Sequence, residues 1–495
     1  MRECGMLLPV ASLPSKYGIG AFSEEAYEFI DQLKRAGQQY WQILPLGPTG
    51  YGDSPYQSFS AFAGNPYFID LTELIKEGLL TKEECEQADF GDNPRDIDYE
   101  KLYYNRFPLL KKAYTRWREQ GHTSKEPAAS LLKETYLYCL YMAIKDHYNG
   151  KSWIYWDDDI RLKTPEAVAH YEQNLEEEIG FYGFLQIKFK EQWEKLKTYA
   201  ASQSIRIIGD MPIYVAFDSA DTWSHPELFL FDETQNPIAV AGCPPDGFSP
   251  TGQLWGNPLY RWGYHKETGY EWWKKRMEYS FLLYDVVRVD HFRGFDEYYS
   301  IPAGNENAIN GTWEKGPGID LFQEMQKTFG NLDIIAEDLG FLTPSVRTLL
   351  KETGYPGMKV LEFAFNSWEE SDYLPHNYTQ NCVVYTGTHD NDTLQSWYQN
   401  LSPEDRAFTN NYLNINTPPT TEDQISWNYI RLALASVARL AIIPVQDYLS
   451  LGSEARINEP STLGKNWRWR LLPGDLTEET LTRCRDLSHL YGRSK

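Results

Sequence analysis

The sequence predicts an α/β protein, a (β/α)8 TIM barrel with large, partly helical insertions on the C-terminal rim. Two observations carry that expectation. Eight short β-rich runs follow one another along the chain, several of them apolar almost throughout, as strands of a parallel sheet buried on both faces read. Amphipathic helical stretches lie between many of these runs, and parallel strands need such crossovers. In order, the runs are Gly5–Val10, Gln39–Leu44, Arg206–Gly209, Asp285–Val289, Asp333–Ala336, Met358–Phe363, Cys382–Thr386 and Ala441–Val445. IRIIGD, VVRVD and DIIAED show the pattern best, apolar until a charged residue closes the run. Glu24–Ala36 follows the first run and Pro344–Glu352 the fifth, each with helical periodicity.

The spacing of the runs places the insertions. The stretch 45–204 is mostly helical, with Leu131–His147 amphipathic and Thr164–Tyr199 charged and aromatic. The stretch 211–284 is rich in Gly, Pro and aromatics and reads as loops, whereas 389–438 is partly helical. All three follow strand ends, where functional loops of this fold sit. No Ser/Gly linker or internal repeat interrupts the chain, so residues 1–495 are expected to form a single barrel unit.

The net charge of −23 argues against a nucleic acid or anionic membrane as partner and favours a neutral substrate. Aromatic residues make up 15% of the chain, and some, such as Trp255 and Tyr260, stand in polar, Gly/Pro-rich stretches. Flat aromatic faces suit the apolar faces of sugar rings. Cys4, Cys85, Cys139, Cys243, Cys382 and Cys484 are scattered without CxxC spacing, as reduced cytosolic thiols are. The N-terminal segment lacks a secretory pattern, and no apolar run approaches the length of about 20 residues that spans a membrane. A cytoplasmic location is expected.

Three acidic residues stand just past predicted strands: Asp290 in DVVRVDHFRG, Glu337 in DIIAEDLG and Asp390 in VVYTGTHDND. They lie roughly 50 residues apart, and a barrel gathers its strand ends around one axis. Two carboxylates flanking a scissile bond are the apparatus of glycosidic cleavage: one attacks the anomeric carbon, the other protonates the leaving oxygen. A single acid after a strand is commonly a helix cap or a solvated loop residue. Three at successive strand ends point to chemistry. Arg288 lies two residues before Asp290 and so on the same side of its strand, where a guanidinium suits a carboxylate that must stay charged to attack. His291 and His389 each adjoin an acid and can donate hydrogen bonds to sugar hydroxyls.

The segments GDMPIYV (209–215), RVDHFRG (288–294), IIAEDLG (334–340) and YTGTHDND (385–392) resemble the four shared segments of the α-amylase superfamily. SPYQSFSAFAGNPYFIDL (54–71), GCPPDGFSPTGQLWGNPLYRW (242–262) and ARINEPSTLGKNWRWR (455–470) narrow the resemblance to glycoside hydrolase family 77. These are the 4-alpha-glucanotransferases, also called amylomaltases or disproportionating enzymes. The resemblance implies that Asp290 is the nucleophile, Glu337 the acid/base, and Asp390 the carboxylate that binds hydroxyls of the sugar at the cleavage site. It places Arg288, His291 and His389 in the supporting shell and gives Asp210 as the acid of the first segment, either a substrate contact or a strand-end buttress. It makes 246–257 a mobile acceptor loop with Asp246, Phe248, Gln253 and Trp255 near the glucan, and it adds Ser54, Tyr56, Phe363 and Asn458 as substrate-touching positions. Tyr214 falls near the place where amylases carry a calcium-binding Asn, so the resemblance implies no metal and no cofactor. Maltooligosaccharides and α-1,4-glucans are the implied substrates.

The acids alone serve a hydrolase as well as a transferase. Insertions that roof the cleft and exclude water would favour transfer to a sugar hydroxyl. An α-amylase-like retaining hydrolase is the alternative, and a non-catalytic glucan-binding protein is a second that the presence of all three acids disfavours.

Overall fold

The computed structural model describes residues 2–494 apart from 51, 246–248, 341 and 416–421, with 422 and 423 described for the backbone only. Twelve strands occur among the described residues: β1 (Glu3–Leu7), β2 (Tyr40–Gln42), β3 (Arg206–Met211), β4 (Ala239–Cys243), β5 (Gln253–Pro258), β6 (Val286–Val289), β7 (Glu297–Pro302), β8 (Thr312–Lys315), β9 (Ile334–Ala336), β10 (Gly357–Val360), β11 (Cys382–Tyr385) and β12 (Leu440–Pro444). Eight of them close into a parallel barrel in the order β1-β12-β11-β10-β9-β6-β3-β2. Each barrel strand overlaps one of the eight runs expected from the sequence. Closure pairs the first strand with the last, Glu3 opposite Leu440 through Leu7 opposite Pro444.

The strands are buried on both faces, which explains their apolar runs. Inward residues Leu7, Tyr40, Ile208, Val286, Ile335, Met358, Val360, Val383, Tyr385, Leu440 and Ile442 fill the barrel as one cluster. Outward residues such as Met6, Ile207, Val287 and Ile443 join the main core beneath the helices. The helix Glu24–Arg35 covers the barrel with Ala26, Phe29, Ile30 and Leu33, the i, i+3, i+4, i+7 stripe of an amphipathic helix. Each large apolar side chain so buried contributes about 1.5–3 kcal/mol. Towards the mouth the inward positions turn polar: Asp210 follows Ile208 and Arg288 follows Val286, two residues on along β3 and β6.

Among its described residues the stretch 45–204 holds eight α-helices, the longest of them Glu176–Ser202, which leads into β3. In 389–438 the helices are Leu394–Gln399, Pro403–Tyr412 and Glu422–Ala435. The connection from β10 to β11 carries only short 3-10 turns, Leu361–Phe363 and Pro375–Asn377, and no α-helix.

The stretch 211–284 differs from the loops expected of it. It contains the helices Trp262–Glu267 and Glu271–Leu283, together with β4 and β5. With β7 and β8 these strands form a separate antiparallel sheet in the order β5-β4-β7-β8. Residues 253–257, expected to lie in an acceptor loop, are therefore strand. Gly242 makes the pairing possible: a β-carbon there would stand 2.1 Å from the carbonyl oxygen of Gln253. Gly and Pro around these strands give the stretch its loop-like composition, and the pairing is fixed by the partner strand.

Candidate active site

The ends of β3, β6, β9 and β11 meet at one mouth of the barrel and bring Asp210, Arg288, Asp290, Glu337, His389 and Asp390 together. Asp210 and Arg288 are register partners on adjacent strands. Arg288 Nη1 donates to both oxygens of Asp210, each at 2.8 Å, and to Asp290 Oδ1 at 3.0 Å. The i, i+2 relation of Arg288 and Asp290 thus becomes a direct contact. Burial opposes the charge on Arg288, but the two carboxylates outweigh it and hold the guanidinium firmly protonated. The side chain of Asp210 is wholly buried, and Tyr56 Oη also donates to it at 2.7 Å. Asp290, by contrast, keeps part of its side chain open to the cleft.

Glu337 leaves β9 beside Asp290 and is fixed by backbone. The N–H of His291 donates to Oε2 at 2.7 Å and the N–H of Leu339 to Oε1 at 2.9 Å. His291 takes the left-handed conformation, φ 49° and ψ 50°, sparsely occupied by non-glycine residues and costing about 1–3 kcal/mol where the surroundings enforce it. Enclosure at the mouth raises the proton affinity of Glu337 to about 7; Asp290 adds to the rise, while Arg288 and the two N–H groups oppose it. Burial pushes His291 down to about 4, so its imidazole is neutral. His291 Nε2 is buried with no protein partner, and the Trp255 ring meets His291 edge-on at 4.9 Å.

Asp390 is held from its other side. Asn458 Nδ2 donates to Oδ1 at 2.6 Å, and His389 Nε2 lies 3.3 Å from Oδ2. Burial would raise the Asp390 carboxyl, but His389 and Asn458 outweigh it and hold it well below the ordinary carboxylate range. His389 in turn gains proton affinity: burial works against its charge, and Asp390 overcomes that. Tyr56 stacks on His389 with centroids 5.3 Å apart and shares a hydrogen bond of 2.8 Å with its Nε2. A turn in which Ser54 Oγ accepts the Tyr56 N–H positions this tyrosine.

β5 supplies the opposite wall. Its alternation puts Gln253, Trp255 and Asn257 on one side, more buried than Leu254 and Gly256 on the other. Trp255 Nε1 donates to Gln253 Oε1 at 3.0 Å, and Gln57 Nε2 donates to Asn257 Oδ1 at 3.1 Å. Phe363 lies on the rim, 38% exposed and edge-on to Tyr373. Asp246 and Phe248 lie outside the described residues. Two contributors were not singled out from the sequence. Arg456 donates from Nη2 to the carbonyl of Asp390 at 3.0 Å, and Trp467 packs on Tyr56 and His389. Both stand in the 455–470 segment, and Arg456 shares the strand-like i, i+2 spacing with Asn458. Among the described residues, no three His, Cys, Asp or Glu side chains are grouped to hold a metal ion.

Arg288 has a measurable structural cost of removal. Arg288→Met leaves Asp210 and Asp290 close together without their counter-charge, and breaking a buried pair in this way costs about 3–5 kcal/mol. Denaturant unfolding should show that loss, and a change below about 0.5 kcal/mol, the range of surface substitutions, would contradict it.

A family model described as 4-alpha-glucanotransferase matches residues 8–476. A 4-alpha-glucanotransferase from Clostridium butyricum is 48% identical, covering 98% of this chain and 99% of the relative. One from Thermus thermophilus is 47% identical over 99% of each chain. Among solved structures, the amylomaltase from Streptococcus agalactiae in complex with acarbose superposes with a TM-score of 0.96 at 41% identity, covering 100% of both chains.

Proposed function

The chain belongs to the 4-alpha-glucanotransferase family, glycoside hydrolase family 77, and is a 4-alpha-glucanotransferase; from that premise we propose that Asp290 is its nucleophile and Glu337 its acid/base. The observation that carries this reading is the contrast between the two carboxylates. Asp290 is in contact with the Arg288 guanidinium, while Glu337 is fixed by two backbone N–H groups and its proton affinity is raised to about 7. A carboxyl group whose proton affinity is raised towards neutral can serve as the acid beside a carboxylate nucleophile.

In the first step Asp290 attacks the anomeric carbon of an α-1,4-glucan, and Glu337 delivers its proton to the departing O4. The carbon–oxygen bond to the leaving segment breaks as the glycosyl ester on Asp290 forms. In the second step the 4-OH of an acceptor sugar attacks that ester, Glu337 takes its proton, and Asp290 is released. Two inversions return the α configuration. Asp390, fixed in its charged state, binds hydroxyls of the sugar at the cleavage site and favours its distorted form. His291 and His389 belong to the shell that supports the carboxylates, their Nε2 and Nδ1 respectively buried without a protein partner. Gln253 and Trp255 line the acceptor side; Ser54, Tyr56, Phe363 and Asn458 flank the cleft, Asn458 acting through Asp390.

The substrates proposed are maltooligosaccharides and α-1,4-glucans, in keeping with acarbose in the Streptococcus agalactiae enzyme. A nucleic-acid partner is disfavoured by the charge of −23. Cytoplasmic residence is supported by the buried thiols of Cys4, Cys85, Cys139, Cys382 and Cys484. Among the described residues, no helix is long and apolar enough to cross a membrane.

Incubation with maltotriose tests transfer against hydrolysis. The expected products are glucose and longer oligomers at a constant number of reducing ends. A steady rise in reducing ends would make the enzyme a hydrolase.

A further inference from the structure

The loop that carries His389 and Asp390 is anchored at both ends by one carboxylate outside the reacting set. β11 ends at Tyr385, the chain leaves through Thr386, and regular structure resumes at Leu394, the first residue of the helix Leu394–Gln399. Asp447 stands behind this excursion, in the single helical turn Val445–Tyr448 that follows β12. Because β11 and β12 are neighbours in the barrel, with Tyr385 opposite Ile442, the end of one strand reaches the loop of the other. Thr386 Oγ1 donates to Asp447 Oδ2 at 2.5 Å, and the N–H of Leu394 donates to Asp447 Oδ1 at 3.0 Å. Thr386, Leu394 and Asp447 are all almost completely buried.

Between those two anchors the loop is braced again. Asn391 Oδ1 accepts from both the N–H and the hydroxyl of Thr388. Glu362 fills the space against Gly387, where a β-carbon would stand 2.6 Å from its Oε1. From the far side Arg456 holds the carbonyl of Asp390, and the N–H of Asn458 holds the carbonyl of His389 at 3.1 Å. A carboxylate that spans the exit and re-entry of a loop fixes the distance between them, and buried charge-assisted bonds resist deformation more than neutral ones.

We propose that Asp447 is a positioning residue for Asp390: it clamps the two ends of the 386–394 loop so that the Asp390 carboxylate meets the sugar in its distorted form. The inference rests on the proposed role of Asp390. Its energetic logic is that Asp390 acts mainly on the transition state, so loosening its loop lowers kcat and spares KM.

Asp447→Leu keeps the volume and removes both anchors, and steady-state kinetics on maltotriose should show kcat lower by about 10- to 100-fold, the cost of a misplacement of about 1 Å. KM should stay within about twofold, as expected for an interaction realised in the transition state. Asp447→Asn should recover most of the lost rate, since its amide accepts from Leu394 and donates to Thr386. A folded Asp447→Leu enzyme with unchanged kcat, or one whose loss is in KM alone, overturns the proposal; so does an Asn variant as slow as the Leu variant. Should Asp447→Leu fail to fold, Thr386→Val decides: it cuts one anchor, and a fall in kcat at constant KM supports the clamp while an unchanged kcat overturns it. Asp390→Asn, measured in parallel, separates the two ideas. If it keeps its kcat, the reading of Asp390 fails; if it loses kcat while Asp447→Leu does not, only the clamp fails.

Discussion

Asp290→Asn reduces turnover of maltotriose by about 10⁴-fold or more, the range seen when a catalytic group that acts as part of a unit is removed. The neutral amide cannot form the glycosyl ester, so no intermediate accumulates for the acceptor to attack. The substitution is isosteric, and Asp210 remains to pair with Arg288 through both oxygens. The folded state is therefore retained, and glucan binding stays measurable by calorimetry. Turnover within tenfold of the parent enzyme would remove Asp290 from the mechanism.

Glu337→Gln is the second large effect, a fall of about 10²–10⁴-fold for the loss of general acid–base catalysis. Two refinements separate this from simple damage. A glycosyl fluoride has a leaving group that needs no proton, so the variant should still form the intermediate from it while failing on maltotriose. The pH dependence has a definite sign. Enclosure raises Glu337 from 4.5 to about 7, so the proton-bearing acid persists into the neutral range and is lost as pH climbs through 7. The kcat/KM of the parent enzyme should decline on that alkaline side, and the Gln variant should lack the limb. A limb near 4.5 in the parent enzyme would contradict the enclosure argument.

These expectations were unevenly legible in the sequence. The barrel was readable because strands buried on both faces must be apolar, and IRIIGD or VVRVD can hardly be anything else. The contact of Arg288 with Asp290 followed from strand periodicity, and Asp390 and Glu337 from their places at strand ends. The raised proton affinity of Glu337 was not readable, because nothing beside it in DIIAEDLG encloses it. The enclosure is made by a barrel mouth assembled from distant segments, with Asp290 brought alongside by the pairing of β6 with β9. Asp447 and Arg456 were hidden for the same reason: they reach the Asp390 loop only once β12 lies beside β11. The sheet of β4, β5, β7 and β8 escaped because β4 and β5 lie in a Gly- and Pro-rich stretch that reads as loop, and the sheet forms only when β7 and β8 pair with them from beyond β6. That sheet brings Trp255 against His291, with Gln253 bonded to the Trp255 ring nitrogen.

The central claim is that a sugar becomes covalently attached to Asp290, and the Glu337→Gln variant allows it to be seen. Mixed with α-maltosyl fluoride, quenched in acid, digested and analysed by mass spectrometry, the variant should yield the peptide containing Asp290 carrying one maltosyl group. An unmodified digest under conditions where fluoride is released, or a maltosyl group on a different carboxylate, would contradict the account.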